Sequence, residues 1–155
     1  MQKRSLLRIF IVTIFVLLIA LQWYRPHKNI QVSQNKADLI IVEHAPPNIA
    51  ALLKKSCYDC HSNFTDYPWY ANIAPMSWYV DDHVQRGKVQ INFSEWGNRL
   101  GIFKSSIRTA SIFDIQTESM PVHPYTILNP EAKLSEEEKK QLVDWFYSLE
   151  IDNSH

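Results

Sequence analysis

The apolar positions of the chain form one continuous run near the N-terminus and several shorter, helix-like stripes after it. Within residues 9–21 only Thr13 interrupts the run, whose length is typical of a signal-peptide core or a short membrane span. No small-x-small cleavage site follows clearly. The pattern therefore favours an uncleaved signal anchor over residues 1–24, with a cleaved signal peptide as the alternative. Three basic residues precede the run: Lys3, Arg4 and Arg8.

These basic residues also predict the side of the membrane on which the rest of the chain lies. Because a positive flank stays in the cytoplasm, we expect an inner-membrane anchor, with membrane contact through residues 5–24 and a domain facing the periplasm. All 16 Asp and Glu residues follow the run, so the exported part is slightly acidic. That balance gives no electrostatic case for binding nucleic acid.

The polar, weakly patterned residues 25–44 predict a linker, and the stripes that follow predict one domain over residues 45–150. Capping-box patterns at Asn92–Glu95 and Ser135–Glu138 indicate two helix starts, and Gly87 indicates a helix end. Prolines predict an extended stretch over residues 119–124. No strand pattern appears, so we expect an all-α domain with helices over about residues 46–60, 76–85, 96–113 and 135–149.

The two cysteines of the chain lie three residues apart, at Cys57 and Cys60, and His61 follows directly. This Cys-x-x-Cys-His spacing is typical of a covalent c-type haem attachment site. On a helix, both sulfurs share one face and can form thioethers with the two vinyl groups of one porphyrin. His61 can then bind the iron from the proximal side. The pattern predicts one covalent haem c.

Other roles for the two cysteines are less well supported by their surroundings. A structural zinc site usually needs four protein ligands, and no second cysteine pair exists. A thioredoxin-like pair requires a βαβ setting, which the pattern lacks. A disulfide between Cys57 and Cys60 remains open, although it leaves His61 without a role.

Several stretches resemble a family of exported bacterial haem-binding domain proteins, over about residues 45–147. They comprise Cys57–Asn63, Tyr67–Trp78, Asn92–Trp96, Met120-Pro121, Ala132–Ser135 and Trp145. The resemblance implies a cytochrome c-like helical domain around one haem, but it implies no substrate. A histidine common in that family is replaced here by Asn129, which argues against an iron ligand at that position.

The sixth iron ligand is predicted less directly than the two attachment cysteines and the proximal ligand His61. Cytochromes c present a distal methionine on an extended loop, so the resemblance implies Met120, which precedes Pro121. His83 and Met76 are weaker candidates, since both belong to the apolar stripe of a predicted helix and suit core packing.

Together these features predict an electron carrier that exchanges single electrons with redox partner proteins on the exported side of the membrane. Two alternatives stay open. A haem sensor or peroxidase-like enzyme would leave the sixth iron position free, and a thiol–disulfide protein would use the two cysteines without haem. The sequence does not decide whether the protein is an enzyme.

Overall fold

A computed structural model of the chain describes residues 2–31 and 36–152, and its regular secondary structure in these ranges is helical. Helix accounts for 71% of it and no strand forms, so the predicted all-α class is confirmed for the described residues. One isolated bridge pairs Ile30 with Phe64. The helices are α1 (Gln2–Leu21), α2 (Leu39–Val42), α3 (Pro47–Leu53), α4 (Asp59–His61), α5 (Met76–Gln90), α6 (Gly101–Gln116), α7 (His123–Leu128) and α8 (Glu136–Asp152).

The core forms where α3, α6 and α8 pack together, with α2 and the 3₁₀ turn Phe93–Asn98 closing one side. On α8, Phe146 is almost fully buried in the same apolar cluster as Leu53 on α3. Burying a large apolar side chain contributes about 1.5–3 kcal/mol to stability, so this cluster provides much of the stability of the domain. Its members are Leu39, Ile49, Leu52, Leu53, Phe93, Trp96, Ile107, Ile112, Ile115, Leu134, Leu142, Val143, Trp145, Phe146 and Leu149.

Two predicted helix bounds are wrong. Helix α5 continues through Gly87 to Gln90, because the glycine is needed for close packing and not as a helix end. Helix α6 begins at Gly101 instead of residue 96. The Asn92 side chain accepts a hydrogen bond from the Ser94 N–H. It therefore caps the 3₁₀ turn Phe93–Asn98 and not the start of α6.

The predicted extended stretch over residues 119–124 is only partly right, because α7 begins at His123 with a proline in its first turn. The second capping box is confirmed at the start of α8. There the Ser135 N–H donates to Glu138 Oε2 at 2.8 Å, and the Glu138 N–H donates to Ser135 Oγ at 3.3 Å.

Helix α1 is the described helix that is long and apolar enough to span a membrane, over Lys3–Leu21, and none of this segment is buried against the rest of the chain. Such a helix is compatible with an anchor and equally with a signal sequence. The domain boundaries at residues 24, 44 and 150 remain predictions. The described part of the predicted linker lies along the domain, with the Gln31 N–H donating to the Asn63 carbonyl at 2.9 Å.

Candidate haem site

A π-helical turn, Lys54–Tyr58, joins α3 to α4 and contains the first cysteine of the motif. A π turn holds one more residue than an α turn, so it rotates the following residues relative to the buried stripe of α3. Ser56 is buried in this turn and donates to the Ala132 carbonyl at 2.8 Å. Cys57 and Cys60 are half-buried, and neither forms a disulfide.

The two residues between the cysteines fasten the motif to the rest of the domain. The Tyr58 hydroxyl donates to Asp38 Oδ1 at 2.8 Å, and the Tyr125 hydroxyl donates to Asp59 Oδ2 at 2.5 Å. Burial raises the pKa of the Asp59 carboxyl, and the hydrogen bond from Tyr125 partly opposes that effect. Both bonds hold the start of α4, a helix too short to keep its shape alone.

The imidazole of His61 is oriented by the end of α5. Its Nδ1 lies 3.0 Å from the Gly87 carbonyl oxygen and 3.2 Å from the Ile91 carbonyl oxygen. Because both partners are acceptors, Nδ1 carries the proton, and Nε2 keeps its lone pair for a metal. Only 9% of His61 is exposed, and burial lowers the pKa of the imidazole, which favours the neutral form that binds iron.

This arrangement requires a glycine at position 87. A Cβ added there would lie 2.4 Å from the carbonyl oxygen of Cys60 and 3.0 Å from its carbonyl carbon, and both are backbone atoms that cannot rotate away. Gly87 therefore allows α5 to approach the haem-attachment motif closely enough for its carbonyl to meet His61.

The Gly87→Ala variant should unfold more easily than the wild type, by about 1–3 kcal/mol, because overpacking forces α5 away from Cys60. Denaturant unfolding followed by circular dichroism measures the difference. Gly101→Ala is the matched control, since nothing lies within 4 Å of a Cβ at that position. Its effect should stay within about 0.5 kcal/mol. Equal stability of the two variants would contradict the close-packing role of Gly87.

Within the described part of the chain, two narrow cavities are lined by the cysteines of the motif. The first brings Cys57 and His61 together with Met120, between Ile115 of α6 and Phe146 of α8. The second lies on the side of Cys60 and is largely apolar. Its lining comprises Asp59, Cys60, Asp66, Pro68, Tyr70, Met76, Tyr79, Val80, His83, Val84, Val122, Pro124, Tyr125 and Leu128.

The loop that carries Met120 is held by the end of α6. The Met120 N–H donates to the Asp114 carbonyl at 3.1 Å. Glu118 adopts a positive φ of 58°, which turns the chain back, and its carboxylate accepts from Lys139 Nζ of α8 at 2.5 Å. Met120 is partly buried. Among the described residues, it is the methionine that shares a cavity with His61.

The other candidate ligands do not line the cavity that contains His61. Met76 and His83 line the second cavity, on the side of Cys60. The ring of His83 contacts that of Tyr79, with centroids 4.1 Å apart, and its Nδ1 lies 3.0 Å from the Tyr79 carbonyl oxygen. Asn129 is buried, and its amide donates to the Tyr70 hydroxyl at 2.6 Å. The Asn129 amide therefore supports the Tyr70 hydroxyl.

The residues present fit a covalently attached haem. The motif offers two unpaired thiols and an imidazole with a free Nε2, beside cavities with apolar walls. Burial raises the pKa of Cys57 to about 12 and that of Cys60 to about 11. Thiols with such pKa values form little thiolate and are poor nucleophiles, which disfavours thiol–disulfide exchange at this site.

The contacts that several residues of this site make could not be predicted from the sequence. Tyr125 and Asn129 lie in and just after α7, a helix that was not predicted, and their partners are more than fifty residues away. Gly87 was noticed, but as a helix end. Their roles depend on contacts between distant segments, which local patterns do not contain.

Comparison with known proteins agrees with the site. The model of the haem-binding domain family matches residues 16–148 of the 155-residue chain. No curated protein and no solved structure shows significant similarity to this chain. The family match covers most of the chain, including the cysteine–histidine motif and Met120. The chain therefore belongs to the haem-binding domain family, and it is a haem-binding protein.

Proposed function

We propose that this protein is a membrane-anchored mono-haem c-type cytochrome that transfers single electrons on the exported side of the membrane. The observation that carries the proposal is the cavity shared by Cys57, His61 and Met120. It brings together a thiol for covalent attachment, an imidazole with a free nitrogen and a thioether. This combination suits an electron carrier, because an imidazole and a thioether that would both hold the iron would leave no position for a substrate.

Haem, when bound, supplies a one-electron iron couple. The chain contributes attachment through Cys57 and Cys60, and it orients His61 through the two carbonyls at the end of α5. The short loop after α6 holds Met120 in place. Apolar residues around the two cavities exclude water, which tunes the potential of a buried cofactor. No carboxylate pair or nucleophile beside the cavities is required for this role.

The proposed location follows from α1 and its basic flank. A 20-residue helix is about 30 Å long, which matches the hydrocarbon core of a bilayer. Lys3, Arg4 and Arg8 precede most of its apolar residues, so the domain would lie on the exported side. Covalent haem attachment takes place on that side, and the two proposals support each other.

Optical spectra of the purified wild-type protein test the function. Protein made in a strain that matures cytochromes c should show a Soret band, change reversibly between oxidised and reduced forms, and bind little CO when reduced. Fast CO binding would favour a sensor or enzyme with an open iron position. Two free thiols without a Soret band would contradict the cytochrome proposal and favour a thiol–disulfide protein.

A further inference from the structure

The chain directly after α1 is bound to the haem domain, and this attachment continues into residues 25–31, the start of the predicted linker. Gln22 follows the last residue of α1, and its side-chain amide donates to the Ala74 carbonyl at 3.1 Å. The oxygen of the same side chain accepts from the Ala74 N–H at 3.0 Å. The Trp78 indole then donates to the Tyr24 carbonyl at 3.0 Å, and the two rings meet edge to face.

The attachment continues further along the chain, and residues 22–31 are called the strap below. The Asn29 N–H donates to the Tyr67 hydroxyl at 2.9 Å. Its side-chain amide donates to the Ser62 carbonyl at 2.8 Å, and its side-chain oxygen accepts from Lys88 Nζ at 2.7 Å. These bonds reach the residue directly after the haem motif. The strap therefore connects α1 to the haem site through a continuous set of contacts.

The strap also sets the level of the domain relative to a bilayer that α1 would span. Leu21 is the end of the apolar helix, so Gln22 would lie in the interfacial layer, which is roughly 5–7 Å thick on each side of the membrane. Because Gln22 bonds to both backbone groups of Ala74, the segment around Ala74 must lie at the same level.

Large apolar side chains are exposed at this level. Trp23 is 92% exposed, Trp69 is 76% exposed and Ile73 is 48% exposed. Ile73 directly precedes Ala74, Trp69 lies five residues before Ala74, and Arg25 of the strap is exposed. Tryptophan is enriched at membrane interfaces, where its ring contacts lipid and its N–H remains hydrated. Trp23, Trp69 and Ile73 are called the membrane face below.

We infer that the membrane face contacts the lipid bilayer, and that the strap holds the haem domain on the membrane surface in one orientation. The inference rests on the proposed anchoring by α1. It goes further because an anchor alone leaves a domain free to move away from the bilayer. We assign lipid to this face because the chain itself places the face beside the bilayer. The apolar helix ends at Leu21, and the strap begins at the next residue.

Photo-cross-linking to lipid tests the contact. The intact chain, confirmed by its mass, is placed in vesicles of phosphatidylethanolamine with a minor fraction of phosphatidylglycerol. Separate variants carry p-benzoylphenylalanine in place of Trp23, Trp69, Ile73 or Phe113. Phe113 is the control, because it is 62% exposed on α6, which makes no described hydrogen bond to the strap. Mass spectrometry then measures the lipid adducts after illumination.

We expect lipid adducts at positions 23, 69 and 73, each severalfold above the level at position 113. Adducts at 23 without adducts at 69 and 73 would overturn the inference and leave the anchoring intact. Absence of adducts at all three positions, or loss of α1 from the purified chain, would overturn both. Cross-links at 69 and 73 to a second protein chain would also overturn the lipid assignment.

The Gln22→Ala variant tests the strap. With the photoreactive residue at position 69, it should lower the lipid adduct severalfold, while the adduct at position 23 stays unchanged because that residue adjoins α1. The haem spectrum should not change. An unchanged adduct at position 69 would overturn the role of Gln22 in holding the membrane face.

Discussion

Cys57→Ser and Cys60→Ser should each yield only a small fraction of the wild-type amount of haem-loaded protein, and the double variant should retain no haem after acid–acetone extraction. Each substitution removes one sulfur that can form a thioether, so the haem keeps a single covalent bond or none. The effect should be large because, in the proposed site, these two sulfurs supply all of the covalent attachment. Soret absorbance per mole of purified chain, before and after extraction, measures it.

The helical content of these variants separates haem loss from misfolding. A serine fills nearly the same volume as a cysteine, and the buried contacts of Ser56 and Tyr58 do not involve either sulfur. Circular dichroism of the protein that accumulates should therefore remain helical. If the single variants carried the same amount of acid-stable haem as the wild type, covalent attachment through these cysteines would be wrong.

Met120→Ala should open the iron to exogenous ligands. The reduced variant should bind CO readily, and the oxidised variant should lose the weak long-wavelength band expected for methionine bound to ferric haem. Axial ligands move haem potentials over a range of about 0.8 V, so losing a thioether should lower the potential by on the order of 0.1–0.2 V. Redox titration and CO difference spectra measure the two effects.

Met76→Ala is the matched control for this experiment. It removes the same side chain from a residue that is also partly buried, but it does so in the second cavity. It should leave the spectrum, the potential and CO binding close to those of the wild type. His83→Ala should do the same. A changed spectrum in His83→Ala with an unchanged spectrum in Met120→Ala would show that the iron has two histidine ligands instead.

The sequence allowed the helical class and the main core helices to be predicted because their apolar stripes are long and regular. The capped start of α8 was predicted because a capping box is a local signal. The role of Gly87 was predicted wrongly because glycine occurs both at helix ends and at close contacts between helices, and the local sequence is similar in the two cases. Only the position of Cys60, 27 residues earlier in the chain, distinguishes the two.

For the site, the cysteine–histidine motif was recognisable because its chemistry dictates its spacing. Its placement in a π-helical turn was not predictable, since Lys54, Lys55 and Ser56 carry no periodic signal. Likewise, the hydrogen bond between Asp59 and Tyr125 depends on α7. That helix begins with His123-Pro124, where a proline is compatible with both an extended chain and a first helical turn.

The attachment of residues 22–31 to the domain has a consequence for how such a carrier would meet its partners. A free linker over residues 25–44 would let the domain swing over about 25 Å, as expected for a flexible chain of that length. Because the described part of this segment is bound along the domain, most of that range of movement is lost. Under the proposed function, electron exchange would then take place at a fixed height above the bilayer instead of over a range of heights.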